Sequence, residues 1–187
     1  MFLKNNAVFA VGIITGNNKG FIKSEHLSGT EPILKGTDIG KYKINDVHNF
    51  IHYDRSIFQQ SAPPEIYRAK EKILYRYISN TPVFAYDNQQ LLPLNSCNVL
   101  IPQIDKLDIK YILAILNSSV AEFFFSKTFN SVKMLKLHIE ALPIPVPTTQ
   151  QQAKIISLVD EILNNPTEAT IIQNELNSIV KKLYKLA

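Results

Sequence analysis

The sixteen residues 72–87, KILYRYISNTPVFAYD, decide the fold class. The first half alternates: Ile73, Tyr75 and Tyr77 fall on one face, and Leu74, Arg76 and Ile78 on the other. A period of two, carried by β-branched and aromatic residues, is the mark of a strand. Asn80-Thr81-Pro82 turns the chain, and VFAYD reads as the returning strand. Downstream, SCNVLIP (96–102) supplies a third strand. Neighbouring strands joined by a short turn pair antiparallel.

Upstream, AVFAVGIIT (7–15) reads as a strand that breaks at Thr15-Gly16. A polar tip with Asn17, Asn18 and Lys19 follows, then GFIK as the next strand. That tip admits a hairpin turn, a phosphate cradle, or a probe that touches a partner. EPILKGTDIGKYKI (31–44) places Gly36 and Gly40 around Asp38, a turn between apolar flanks. APPEIYRAKEK opens with two prolines and continues with helix formers, which suits a short helix.

Beyond residue 108 the period changes. Ile109, Ile112, Leu113, Leu116, Val120, Phe123 and Phe124 share one helical face, with Asp108 as the cap, which predicts one helix through residue 125. SKTFNSVKMLK (126–136) then reads as a loop. Prolines 143, 145 and 147 forbid a helix and mark an architectural boundary. After it, Thr148 and Gln151 match a capping box for a first helix. Asn165, Pro166 and Glu168 signal a second, along which Ile172, Leu176, Ile179, Leu183 and Leu186 keep heptad spacing. The expected fold is therefore α+β: a twisted, mainly antiparallel sheet with helices over residues 1–147, then a C-terminal helical pair over 148–187.

The chain has 187 residues, 45% hydrophobic and 19% charged, enough to bury a real core. It holds no apolar run of eighteen residues, so no spanning helix is expected. The start, MFLKNNAVFAVGIITG, lacks a small-residue cleavage site and reads as a strand. Cys97 is the only cysteine, so the chain has no internal disulfide, and a reducing cytoplasm is the simplest setting.

The net charge of +4 lies entirely in residues 1–147, where sixteen Lys/Arg face twelve Asp/Glu. Residues 1–24 and 123–139 contain no acid. Basic windows of this kind suit a polyanion, and a soluble surface with chance clustering is the plain alternative.

Catalytic constellations are not visible. Histidines 26, 48, 52 and 138 are scattered, and one cysteine cannot build a zinc cluster. No Gly-x-Ser-x-Gly elbow or Walker-type loop occurs. Gly12, Gly16 and Gly20 are spaced by four and run into GFIK rather than a helix, so the dinucleotide fingerprint fails on spacing and context. Asp38, Asp54 and Asp87 are not grouped with a lysine as metal-assisted hydrolysis would need.

Five segments, in this order, carry a resemblance: GIITGNNKGFI, EPILKGTDIGKY, KILYRYISNTPVFAYDNQQLLPLNSCNVLIP, YILAILNSSVAEFFF and LPIPVP. Together they resemble the target-recognition domain of adenine-N6 DNA methyltransferases. The TaqI-like C-terminal specificity domain of Type IIG restriction-modification enzymes is the nearest pattern, and Type I specificity subunits are more distant. ILAILNSS, followed by LPIPVP and the QQ…I…LVDEIL helix, is the most specific part.

The resemblance implies a bacterial or archaeal DNA-recognition module that is not catalytic by itself. Its implied partners are double-stranded DNA and a methyltransferase or endonuclease domain or subunit, with S-adenosylmethionine expected in that catalytic partner and no cofactor in this chain. The family's catalytic Asn/Asp-Pro-Pro-Tyr motif has only an accidental echo in APPEIY, where Ala62 stands at the amide or carboxylate position. The terminal helices resemble the spacers that join recognition domains to catalytic partners.

The resemblance implies that polar loops meet DNA. Thr15, Asn17, Asn18 and Lys19 in the opening tip have suitable chemistry, since an Asn amide pairs with adenine and Lys reaches guanine or phosphate. Asn and Gly also favour a turn for their own sake. Further candidates are Lys35 and Thr37, beside an Asp38 that could simply brace the turn. Arg76 could reach bases or join a cross-strand pair. Lys127, Ser131, Lys133 and Lys136 lie in the acid-free window. Tyr42, Tyr53 and Phe58 read as core. Two other functions stay open at this stage: a protein-interaction module docking through the C-terminal helices, and a small hydrolase with an unrecognised site.

Overall fold

A computed structural model describes residues 1–165 and 167–186. Two four-stranded sheets form the centre. The first runs in the order β1 (Ala7–Ala10), β8 (Cys97–Pro102), β5 (Lys72–Arg76), β6 (Phe84–Asp87), all antiparallel. The second runs β2 (Ile22–Lys23), β4 (Phe50–Ile51), β3 (Glu31–Leu34), β7 (Leu92–Pro93), with β3 and β7 parallel. The β5–β6 pairing sets Ile73 opposite Tyr86 and Tyr75 opposite Phe84.

The alternation of β5 is used on both sides. Ile73 and Tyr75 enter a core shared with the helices, while Leu74 enters a second core with Ile33, Leu34, Ile51 and Leu92 of the other sheet. Both faces are thus covered, and the side chains of Ile73 and Leu74 are fully buried. The helical layer comprises α3 (Ile109–Asn117), α4 (Ser119–Thr128), α5 (Lys136–Ala141), α6 (Thr149–Asn164) and α7 (Ala169–Leu183). Residues 111–117 of α3 are all buried, and the core on this side runs through Ile155, Leu158 and Val159 of α6 to Leu176 and Val180 of α7. Among the described residues no single helix is long and apolar enough to cross a membrane.

Several expectations are corrected. The opening tip is not a hairpin: β1 and β2 lie in different sheets, and the tip is one helical turn, α1 (Asn18–Phe21). The Asn17 side chain caps it by accepting from the Gly20 amide. Gly16 supplies the positive φ of 78° that precedes it.

The single helix expected over 108–125 is two helices bent by 58° at Ser118. Asp108 caps the first, as expected. Ser118 caps the second by accepting from the Ala121 amide. Asn117 lies at the break. Its buried amide accepts from the Phe84 N–H and donates to the Phe84 C=O, on an edge of β6 that Tyr42 also bridges. The Ser118 hydroxyl donates to the Ile115 C=O and accepts from the Ala121 N–H, so it closes one helix and caps the next at the bend.

The segment 126–136 is only partly a loop: α4 continues through Thr128 and α5 starts at Lys136. Thr148 and Gln151 form the expected capping box of α6. The next helix starts at Ala169 without a side-chain cap from Glu168, and Pro166, expected at its first position, lies outside the described residues. The buried line on α7 is Ile172, Leu176 and Val180, flanked by Ile179 and Leu183; Leu186 lies beyond the helix and is exposed.

Candidate functional site

Three segments distant in the chain meet at the C-terminal end of β5. The first is a 3-10 turn over 36–38. Arg76 Nε donates to the Gly36 carbonyl at 2.8 Å and Nη2 donates to the Ile39 carbonyl. The Gly36 amide donates to Ser96 Oγ at 2.9 Å. A Cβ at Gly36 would stand 2.4 Å from the Ser96 carbonyl, so only glycine allows this approach. Asp38 Oδ2 accepts from the Lys35 amide at 2.7 Å and so braces the turn. Thr37 is exposed and Lys35 half-buried.

The second segment is the opening tip. The Ile13 carbonyl accepts from the Asn95 amide at 3.1 Å, and Ile14 pairs with Gln60. Thr15 is buried; its hydroxyl donates to Asn18 Oδ1 at 2.6 Å and accepts from the Asn17 amide at 3.1 Å. Three of the four candidate side chains here, Thr15, Asn17 and Asn18, therefore build the turn through their oxygens, and Asn17 and Asn18 are exposed. Lys19 is exposed at the tip.

The third segment is 131–136. The Ser79 amide donates to the Val132 carbonyl at 2.9 Å, and the Met134 amide to the Tyr77 carbonyl at 2.8 Å. Ile78 and Lys133 are thereby bridged in an antiparallel ribbon. Ser131 Oγ accepts from the Lys133 amide at 3.0 Å and so shapes the bend before it. Lys136 opens α5, with Nζ 5.5 Å above the Phe9 ring and 3.6 Å from Glu140. Lys127, on the last turn of α4, lies 5.9 Å over the ring of exposed Phe123.

His138 fastens this third segment from below. The ring stacks on Phe129 at 4.0 Å, and Nδ1 accepts from the Leu135 amide at 3.4 Å. Burial holds its pKa below the ordinary histidine value, opposed by a hydrogen bond to the Lys133 backbone.

Between the first sheet and the third segment runs a cleft of about 460 Å³, walled by Phe9, Ile14, Tyr75, Tyr77, Met134 and Lys136. It joins the opening tip to the lysine-bearing segment through shared walls. The converging pieces carry Lys19, Lys35, Arg76, Lys133 and Lys136. Among the described residues, Lys19, Lys35, Lys127 and Lys133 form no ion pair with a carboxylate.

Sequence reasoning chose the lysines but not the residues that gather them. Ser96, Asn95, Tyr77 and Ile78 form the hub, and no local pattern announces them. Arg76, expected to reach outward or pair across the sheet, is engaged by backbone carbonyls of the 36–39 turn.

Residues 31–144 match the TaqI-like C-terminal specificity domain. The chain belongs to that family. The specificity domain also shares its fold with solved restriction-modification proteins. One is the Type IIL restriction-modification enzyme MmeI in complex with DNA (TM-score 0.62, 13% identity, 96% of this chain and 33% of that one). A second is a chain from a study of assembly of the type I R-M system (TM-score 0.59, 19% identity, 98% and 45%). A third is the HsdS subunit from Thermoanaerobacter tengcongensis (TM-score 0.54, 17% identity, 99% and 44%). The specificity domain thus spans less than half the length of each of these chains.

Proposed function

We propose that this specificity domain recognises a base sequence in duplex DNA on behalf of an adenine-N6 methyltransferase or restriction endonuclease held in another domain or subunit. The observation that carries the reading is the convergence just described. Ile13 at the base of the opening tip, Gly36 of the 36–38 turn, and Val132 and Met134 of the third segment are hydrogen-bonded to residues 76–79 and 95–96, and Lys19, Lys35 and Lys133 on these segments have no carboxylate partner among the described residues. Lysines so arranged suit phosphate contacts that fix register, while exposed amides and hydroxyls suit base edges. The solved relative MmeI, in complex with DNA, supports the same partner.

In this reading Lys19, Lys35 and Lys133 meet phosphates. Asn17, Asn18 and Thr37 offer polar groups to base edges. Thr15 and Arg76 act from behind, by holding the tip and the 36–39 turn. S-adenosylmethionine and the methyl-transfer machinery belong to the catalytic partner.

The test is selection from random duplexes followed by binding of the selected and scrambled duplexes at several salt concentrations. The expected result is an enriched sequence, with affinity that falls as salt rises. A chain that retains no duplex at low salt overturns the proposal.

A further inference from the structure

The ribbon formed by 77–79 and 132–134 carries two large apolar side chains that the cores do not use. Ile78 is 57% exposed and Val132 is 53% exposed. Ile78 is bridged to Lys133, and Val132 pairs with Ser79, so the two side chains point to opposite faces of the ribbon. Ile78 and Lys133 share an outward, exposed face, whereas Tyr77 and Met134, on the face of Val132, are half-buried along the cleft. The ribbon's backbone is pinned by the two hydrogen bonds between its strands.

The surroundings limit what such a ribbon can meet. Residues 126–136 contain Lys127, Lys133 and Lys136 and no acid, and residues 76–82 contain Arg76 and no acid. Two carboxylates stand near the ribbon, Glu122 in the cleft beside Ser79 and Lys133 and Glu140 beside Lys136, and each is taken up by a lysine, at 3.1 Å by Lys41 and at 3.6 Å by Lys136. Lys133 has no carboxylate partner among the described residues, so the charge left free next to the ribbon is positive, which suits a polyanion. A two-stranded ribbon also fits the width of the major groove of B-DNA, where the thymine 5-methyl is the apolar feature on offer. β-Branched side chains suit that contact because their χ1 freedom is already restricted.

Resting on the proposed DNA reading, we infer that this ribbon enters the major groove with its outward face and that Ile78 reads thymine through its 5-methyl group. The selected sequence should therefore contain thymine at one position where the methyl, rather than a hydrogen bond, sets the preference. Lys133, directly opposite Ile78 on the same face, would hold the adjoining phosphate.

The experiment replaces each thymine of the selected duplex with deoxyuridine, one at a time, which removes the methyl and keeps base pairing. Binding is read by fluorescence anisotropy at fixed salt for the parent, Ile78→Ser and Val132→Ser, the second changing the other face of the ribbon. Both residues are exposed, so neither change is expected to disturb folding, and thermal unfolding checks that. The parent should lose about fourfold in affinity at one position, the worth of burying one methyl-sized group. At that position the loss should vanish in Ile78→Ser and persist in Val132→Ser. If the chain selects a sequence but every uracil replacement is silent, the DNA reading stands and this inference falls. It also falls if the uracil loss persists undiminished in Ile78→Ser, or if that variant weakens thymine and uracil duplexes equally. If no duplex is retained at all, the DNA reading itself fails and takes the inference with it.

Discussion

Lys72 Nζ lies 2.6 Å from Asp87 Oδ2, and neither side chain reaches solvent. The two residues face each other across β5 and β6, at the end of the hairpin opposite the hub. Lys72 also donates to the Tyr67 carbonyl at 2.7 Å, and Asp87 accepts from the Gln89 and Leu91 amides at 2.7 and 3.1 Å. Burial pulls the Lys72 pKa down, and Asp87 opposes that shift. The pair thus ties α2 (Pro64–Tyr67) and the turn after β6 to the central sheet.

Breaking this pair should be costly and asymmetric. Asp87→Leu leaves a buried ammonium with one carbonyl partner and is expected to cost about 3–5 kcal/mol. Lys72→Met should cost less, because the carboxylate keeps two amide donors. The double variant should recover much of the loss, since it buries no charge. Urea unfolding of the three variants measures this; two single variants within 1 kcal/mol of the parent, on the order of an exposed pair, would contradict it.

His138 gives the fold a pH dependence of known sign. Its pKa is lowered in the folded state, so folding favours the neutral ring. The stability it contributes is complete above the unfolded value of about 6.5. It is lost as pH falls from there toward the folded pKa. Glu122 and Lys133 share the cleft that the ring lines, and Lys136 and Glu140 lie on its own helix; Glu122 is paired with Lys41 at 3.1 Å. The thermal midpoint of the parent should drop between pH 7.5 and 5.5 by more than that of His138→Phe, which keeps the stack on Phe129 but cannot titrate. Equal drops would assign the pH dependence elsewhere.

The parts that could be read ahead of the structure are those governed by short-range periods. The β5–β6 hairpin and the α6 capping box need only local sequence, because alternation and capping are local physics. The bend at Ser118 was hidden because serine does not break a helix by propensity alone. The Ser118 hydroxyl holds it between the Ile115 C=O and the Ala121 N–H, and Asn117 beside it bonds Phe84, 33 residues away. The partners of Arg76 are hidden in the sequence for the same reason: its carbonyl acceptors lie 37 and 40 residues away. In the opening tip, Asn17 and the two glycines suit a hairpin and a capped helical turn equally, and pairing of the flanking strands to different sheets decides between them. Lys19, Lys127 and Lys133 stand out in the sequence through acid-free windows, whereas Ser96 and Tyr77 hold their segments only through contacts made across the fold.

Asn18 separates a structural from a reading role. Its Oδ1 accepts from the Thr15 hydroxyl, while Nδ2 is available to a base edge. Asn18→Asp keeps the acceptor and removes the amide donor. Stability should be unchanged within about 0.5 kcal/mol, as for a surface change that spares the local hydrogen bond. The added negative charge will weaken all duplexes alike, so the informative quantity is the ratio of selected to scrambled binding. If Asn18 pairs with adenine, that ratio should fall by about 1–3 kcal/mol. An unchanged ratio would confine Asn18 to building the turn.

Lys133 and Lys136 stand in different surroundings despite their proximity in sequence. Lys133 is exposed with no carboxylate partner among the described residues, whereas Lys136 leans on Phe9 and approaches Glu140. A lysine already engaged by a carboxylate and a ring yields less on meeting a phosphate, because those contacts must be given up. Lys133→Ala should therefore weaken selected and scrambled duplexes similarly and flatten the plot of log affinity against log salt by about 0.9, the value for one phosphate contact. Lys136→Ala should produce a smaller change in slope, and Glu140→Gln should increase the affinity of the parent by freeing Lys136. Binding titrations at four or more salt concentrations distinguish the cases. If Lys133→Ala leaves both affinity and slope untouched, the nucleic acid is met by a different face of the domain, even though the family and fold remain as described.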